Sequence, residues 1–198
     1  SEGNHSRLRP GDIKYRDLNG DGVIDDYDKM PIGFCDIPEI TYGFGGAIEW
    51  KGFDVSIFFQ GTARVSLFEE GSTIVPFSSG YKNNDGFLRG VMENRWTVDN
   101  PDPNARYPRT IRPSDALDNN NTKKSSFWVR NAAFLRLKNA EIGYTFPKRW
   151  MEKMAIQNLR LYVSGVNLLT WAPDVHLFDP DLGSGDGRKY PPTRVFNV

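Results

Sequence analysis

The sequence holds one cysteine, two histidines, no surplus of either charge and no apolar run of eighteen residues. Each shortage excludes something. The single Cys35 forms no internal disulfide, so cysteine usage leaves the redox compartment open, and the expectation for it is a small buried side chain. Lysine plus arginine and aspartate plus glutamate stand at 25 each, so no bulk field favours nucleic acid or an anionic lipid surface. The histidines, His5 and His176, lie far apart with no nucleophile motif around them, which speaks against catalysis. Without a long apolar run there is no transmembrane helix. The opening residues, SEGNHSRLRPGD, are polar and do not read as a signal peptide. None of this touches β-barrels, whose spanning strands are short and only alternately apolar.

What is present begins with DLNGDGVIDDYD at residues 17–28, five carboxylates, one amide and two glycines in twelve positions. The spacing follows a calcium loop. Asp17, Asn19 and Asp21 fall at positions 1, 3 and 5, and Gly22 takes the sharp turn at position 6. Val23 offers its carbonyl at position 7, Asp25 stands where a ligand acts through water, and Asp28 closes at position 12. Aspartate reaches less far than the usual glutamate there. No helical apolar stripe precedes the loop, so it is EF-hand-like without an entering helix, as in dockerins. The bland alternative is a solvated Asx-turn loop without metal.

The rest of the chain reads as all-β. Ile40, Tyr42, Phe44, Ile48 and Trp50 alternate with Thr41, Gly43, Gly45, Ala47 and Glu49. After Lys51-Gly52, a tight-turn pair, Phe53, Val55, Ile57 and Phe59 alternate with polar residues. A third strand carries Ala140, Ile142, Tyr144 and Phe146, and a fourth covers 158–171 with a phase slip near Gly165 that suggests a bulge. PKRWMEKMAIQ separates those two strands and predicts one short helix. Such strands build either a soluble sandwich or a membrane barrel. Their length of about ten residues fits a tilted membrane strand. Trp50, Phe53, Tyr144, Phe146 and Trp150 gather at one level, as an interfacial girdle would. The connections at 51–52 and 147–157 are short, whereas the N-terminal stretch, 62–126 and 172–191 are long. Alternating short and long connections mark an up-and-down barrel, and a structureless loop as long as 62–126 sits badly in a compact soluble domain.

Taken in order, GDIKYRDLNGDGVIDDYD, YGFGGAIEWKGFDVSIFFQG, NRWTVDNPDPNARYPR, FWVRNAAFLRLKNAEIGYTFPK, NLRLYVSGVNLLTW, the acidic-proline element Phe178-Asp179-Pro180-Asp181 and PPTRVFNV form a joint pattern. That pattern resembles the C-terminal part of SusC/RagA-family TonB-dependent outer-membrane transporters over nearly the whole chain. The resemblance implies the C-terminal strands of a large barrel of about 22 strands. It places an acidic segment at 1–39 and barrel strands with long loops at 40–198. The family's last strand ends in an aromatic, whereas this chain ends at Val198. The plug, the TonB-contacting segment and the remaining strands are expected to lie elsewhere in the polypeptide. It further implies an energised, non-catalytic importer of oligosaccharides or peptides in the Gram-negative outer membrane. Its expected partners are a SusD-like surface lipoprotein, the TonB complex and membrane lipids, with no nucleic acid. Strand parity then puts the long loops and the acidic loop outside the cell.

For substrate, the candidates are Trp96, Trp128 and Trp171, with Tyr107, because aromatic rings in or beside long loops stack on sugars. Arg130, Arg136 and Lys138 either look into the lumen or pair with carboxylates such as Glu141. Two alternatives stand beside the transporter. One is a soluble, secreted, calcium-stabilised carbohydrate-binding module. A dockerin would need a second acidic loop, and DLGSGDG from Asp181 lacks the spacing. The other is a glycosidase using Asp174, Asp179 and Asp181, a set that reads more simply as solvated loop carboxylates.

Overall fold

The computed structural model describes residues 8–71, 74, 88–110, 120–152, 156–185 and 188–198. Four long strands are those that the alternation predicts: β1 (Ile40–Trp50), β2 (Phe53–Ala63), β5 (Phe134–Thr145) and β6 (Arg160–Trp171). With a short β7 (Val195–Asn197) they form one antiparallel sheet in the order β1-β2-β5-β6-β7. Strands β3 (Ser66–Phe68) and β4 (Val129–Asn131) pair in a separate two-stranded sheet. Two short helices, α1 (Arg89–Glu93) and α2 (Lys148–Met151), complete the described elements together with 3-10 turns.

The β1–β2 hairpin is a two-residue turn with both φ angles positive, 49° at Lys51 and 90° at Gly52, the twist that suits right-handed strands. Its register aligns faces rather than mixing them. Trp50 stands opposite Phe53, Ile48 opposite Val55 and Phe44 opposite Phe59, while Glu49 faces Asp54 and Ala47 faces Ser56. The same apolar rows continue into β5 and β6, as in Phe53–Tyr144–Leu161 and Val55–Ile142–Val163. Irregularities at Lys138 and at Asn167–Leu168 interrupt the ladders without mixing the faces. The slip expected near Gly165 thus falls at Asn167, which has a φ of 55°.

The chain divides into two compact units. Unit 2 comprises Phe34–Ser66, Asn131–Gly183 and Lys189–Val198 and contains the large sheet. That sheet leaves its apolar face uncovered: Ile48 is 74% exposed, Phe44 55% and Leu161 59%. Unit 1 comprises Ser1–Gly33, Leu67–Arg130 and Ser184–Arg188. It has an ordinary core, in which Leu67, Ile74, Val91, Tyr107 and Trp128 are buried. Residues 62–126 are therefore not one long loop. From Leu67 on, their described parts belong to a packed body together with the acidic segment, whereas 62–66 belong to unit 2.

Two further expectations change. Cys35 is exposed rather than buried, its thiol donating to Asp36 at 3.3 Å. The Cys35 carbonyl is spent on the Ser66 amide, which leaves the side chain pointing away. The predicted helix at 147–157 is described only as α2, because residues 153–155 lie outside the described set. Among the described residues no helix is long and apolar enough to cross a membrane, which says nothing of crossing by strands.

Candidate functional site

The apolar face of the large sheet carries two aromatic levels. At the hairpin end, Trp50, Phe53 and Tyr144 share a row, with Phe53 and Tyr144 centroids 4.6 Å apart and Phe146 another 5.0 Å on. At the far end, Phe44 and Phe59 stack at 5.2 Å, and Trp171 lies 6.4 Å from Phe59. The second level escaped the sequence reading because its members come from three strands and meet only through register. An eleven-residue strand is roughly 33 Å long. A tilt of 35–45° reduces that to about 25 Å of height, the thickness of a barrel's lipid-facing band.

The opposite face is polar and cross-linked. Arg160 on β6 bonds both Asp54 on β2 and Glu141 on β5, the latter at 2.5 Å, so one guanidinium ties three strands. The partner of Glu141 is thus Arg160, not the arginines near the start of β5. Arg136 lies at the other end of this face, opposite Gln60 and Thr170 in the ladders, and is 1% exposed. It donates to Thr170 Oγ1 at 3.0 Å and meets Asp179 at 2.5 Å and Asp181 at 2.8 Å. Burial pushes the Asp181 carboxyl upward; Arg136 pulls it down, and Asp179 adds to the rise. These aspartates are ion-paired, which removes them as a free acid pair for hydrolysis. Asp174 accepts a hydrogen bond from the Asn131 amide at 3.0 Å.

In unit 1 the acidic loop closes on itself. Asp17 accepts from the Gly20 and Gly22 amides, Asn19 from Asp21, Asp21 from Val23, and Asp25 from Tyr27. Asp28 accepts from Asp25 at 2.9 Å and from Leu18 at 2.7 Å, joining positions 9 and 2 to position 12. Those amide donors hold the Asp28 carboxyl below the usual range. Positive φ angles of 79° at Gly20 and 83° at Gly22 make the wrap possible. Among the described residues no three of His, Cys, Asp and Glu gather as a metal-holding group. The loop's stem is pinned from a distant segment: Asn121 accepts from the Ile13 amide and donates to Asp12, and Asp12 pairs with Arg109 at 2.5 Å. No sequence signal links positions more than a hundred residues apart.

The three candidate tryptophans do not converge. Trp128 is 3% exposed and donates its indole N–H to the Asn121 carbonyl at 3.1 Å, so it belongs to the core of unit 1. Tyr107 is buried beside it, and burial together with the Glu69 carboxylate pushes its phenol up. Trp96 is half-buried, its ring lying against Gly11. Trp171 is 50% exposed on the apolar face of β6. Sequence reasoning also missed Glu69, fully buried between Arg130 at 2.9 Å and Arg106 at 3.5 Å. A cavity of about 210 Å³ beside it is lined by Phe68, Glu70, Thr122, Lys124 and Trp128.

No family model matches the chain. It is 31% identical over 179 residues to TonB-dependent receptor P26 of Formosa agariphila, which covers 90% of this chain and 17% of that protein. Against TonB-dependent receptor P3 of the same organism the identity is 32% over 162 residues, covering 82% of this chain and 15% of that one. Among solved structures it is similar to the RagAB peptide importer in the 'closed-closed' state, with a TM-score of 0.64 and 22% identity over 87% of this chain and 18% of that chain. The 'open-open' state of the same importer gives a TM-score of 0.56 at 24% identity, over 81% of this chain and 16% of that one. At such identities the structural likeness is one of fold. The chain spans 15 to 17% of the length of these curated relatives.

Proposed function

The chain belongs to the TonB-dependent receptors, and from that premise we propose that it is part of the barrel wall of a SusC/RagA-type outer-membrane importer. The observation that carries the reading is the two-faced sheet. One face is apolar, exposed at Phe44, Ile48, Val55 and Leu161 and bounded by aromatic levels; the other is polar and laced by Arg160 and Arg136. In water that apolar face would be a liability, whereas lipid is its natural solvent. The margins of the sheet, β1 and β7, then pair with the remaining strands of a barrel of about 22, and the polar face lines the lumen.

In this reading the whole protein imports oligosaccharides or peptides with a SusD-like lipoprotein at its mouth, driven through TonB acting on a plug. A role without catalysis agrees with relatives named as receptors and importers. By strand parity this reading has the Lys51 hairpin periplasmic, and the connections 62–126 and 172–191 and the acidic loop extracellular. Of the aromatic candidates, the half-buried Trp96 is kept for substrate, while Trp171 fits the outer girdle. The acidic loop is proposed to take calcium through Asp17, Asn19, Asp21, the Val23 carbonyl and Asp28, with Asp25 acting through water. All are hard oxygen donors, and their carboxylates keep lone pairs beyond those given to amides. A bound cation would relieve their mutual repulsion and stiffen the loop.

The test uses the full-length receptor in outer membranes, with Cys35→Ser and any other cysteine replaced. A cysteine at Asn100 should react with an impermeant thiol reagent on whole cells, and one at Lys51 only after lysis. The reverse pattern sinks the topology. For calcium, titration calorimetry should show a site in the wild type that Asp21→Ala loses; equal heats from both would remove the metal from the proposal.

A further inference from the structure

The segment after β6 is not a free loop. Its described residues 172–183 are held at three points, each by a different strand or segment of unit 2. Asp174 takes the Asn131 amide at 3.0 Å. Asp179 and Asp181 take the Arg136 guanidinium at 2.5 and 2.8 Å. The Leu182 carbonyl takes the Lys189 ammonium at 2.6 Å. Inside these points the segment is capped and partly buried. Asp179 caps the 3-10 turn Pro180–Leu182 by accepting the Asp181 amide, and Val175, Pro180 and Leu182 are all buried.

The decisive contact is Arg136, because its position fixes the face. It stands in the ladders opposite Gln60 and Thr170, whereas its neighbours Leu135 and Leu137 stand with Gly61, Phe59, Trp171 and Leu169 on the apolar face. A segment bound by Arg136 is therefore folded over the polar face. The guanidinium is engaged there, with Thr170 on its Nε, the two aspartates ion-paired to its terminal nitrogens and the Phe134 ring 5.0 Å from its centre. A buried arginine without those carboxylates would be strongly unfavourable, so strap and strand are energetically coupled.

We propose that residues 172–183 form a strap latched across the lumen-facing side of the sheet, and that Arg136 is the positioning residue that keeps it closed. The inference rests on the reading of the polar face as the lumen. The strap narrows the path at this end of the wall, and breaking the latch frees it from the sheet. Because Arg136 holds two carboxylates, removing either side of the latch has the same consequence, and removing both adds little more.

The experiment uses full-length receptor in outer-membrane vesicles and in planar bilayers. Variants are Arg136→Ala, the double variant Asp179→Asn with Asp181→Asn, and the triple combination. Heat-modifiable gel mobility reports the folded barrel. Protease cleavage within 172–183 reports the strap, and single-channel conductance reports the path. The latch predicts at least tenfold faster cleavage in the strap for Arg136→Ala and for the double variant. The triple combination should be no faster, and open-channel conductance should rise in the folded variants. Should Arg136→Ala fail to fold, the double variant in an Arg136→Met background, which leaves no buried charge unpaired, decides the matter. Wild-type cleavage rates in a folded double variant would overturn the proposal. Absence of heat-modifiable, membrane-inserted protein in the wild type would instead strike the barrel reading beneath it.

Discussion

The two units of this chain solve opposite problems with the same residue types. Unit 1 hides its large side chains, with Leu67 and Tyr107 each 1% exposed and Trp128 3%; unit 2 displays them, with Ile48 at 74% and Trp50 at 65%. Buried charge occurs in both units, at Glu69 in unit 1 and at Arg136 in unit 2. Glu69 is buried between Arg130 and Arg106 inside unit 1, whereas the carboxylates of the sheet meet Arg160 on its half-exposed polar face. The contrast teaches that the same residue types form a core in one unit and an exposed apolar face in the other, which the proposed barrel wall would turn toward lipid. Unit 1 packs around its own core, while the sheet of unit 2 leaves its apolar face exposed, with β1 and β7 at its margins.

The comparison breaks most sharply at Trp128. Trp128→Ala should lower the stability of unit 1 by about 3–5 kcal/mol, the range for truncating a buried aromatic. Hydrogen exchange on the full-length receptor should show the loss confined to unit 1. If the amides of β1 and β2 lost protection equally, the two units would not be independent packing bodies.

A smaller effect separates the faces of the sheet. Ile57 and Ser56 are adjacent on β2, both exposed, one on the apolar face and one on the polar face. In lipid, Ile57→Arg should cost about 2–4 kcal/mol, as a cation near the bilayer centre does, while Ser56→Arg should cost far less. Reversible unfolding of the receptor in bilayers measures both. Equal costs would erase the distinction between the faces.

The smallest effect is at the acidic loop, where order comes from amide hydrogen bonds rather than packing. The Asp28 carboxyl is depressed in the folded loop by the Asp25 and Leu18 amides. A depressed acid stabilises above its ordinary pKa, so the contribution is complete at neutral pH. It is lost as the pH falls through the folded value, below the ordinary carboxylate range. An NMR titration should show the Leu18 and Asp25 amides moving together with the Asp28 carboxyl at that low pH. Asp28→Asn should abolish the transition, leaving the sheet unaffected. An unshifted Asp28 titration would mean that these bonds are not formed in solution.

Much of the sheet was legible in the residues themselves. Strict alternation from Ile40 to Trp50 and from Phe53 to Phe59, broken by Lys51-Gly52, dictates a hairpin because side chains in a strand alternate faces and a tight turn needs positive φ. The spacing of Asp17, Asn19 and Asp21 reads as a calcium loop; the local caps the structure shows there arise because short polar side chains reach amides two to five residues away. Local periodicity and local hydrogen bonding are written in neighbouring positions, and a sequence displays them directly.

What only the tertiary structure decided lies in pairs far apart in the chain. Nothing near Asp179 announces Arg136, nothing near Ile13 announces Asn121, and nothing near Glu69 announces Arg130. The same distance hid the body formed by residues 67–130, the core role of Trp128 and the outward thiol of Cys35. Such contacts depend on strand register and on which segments return to the same place. A shift of one residue in register exchanges the faces of a strand, so composition and spacing alone leave those partners open.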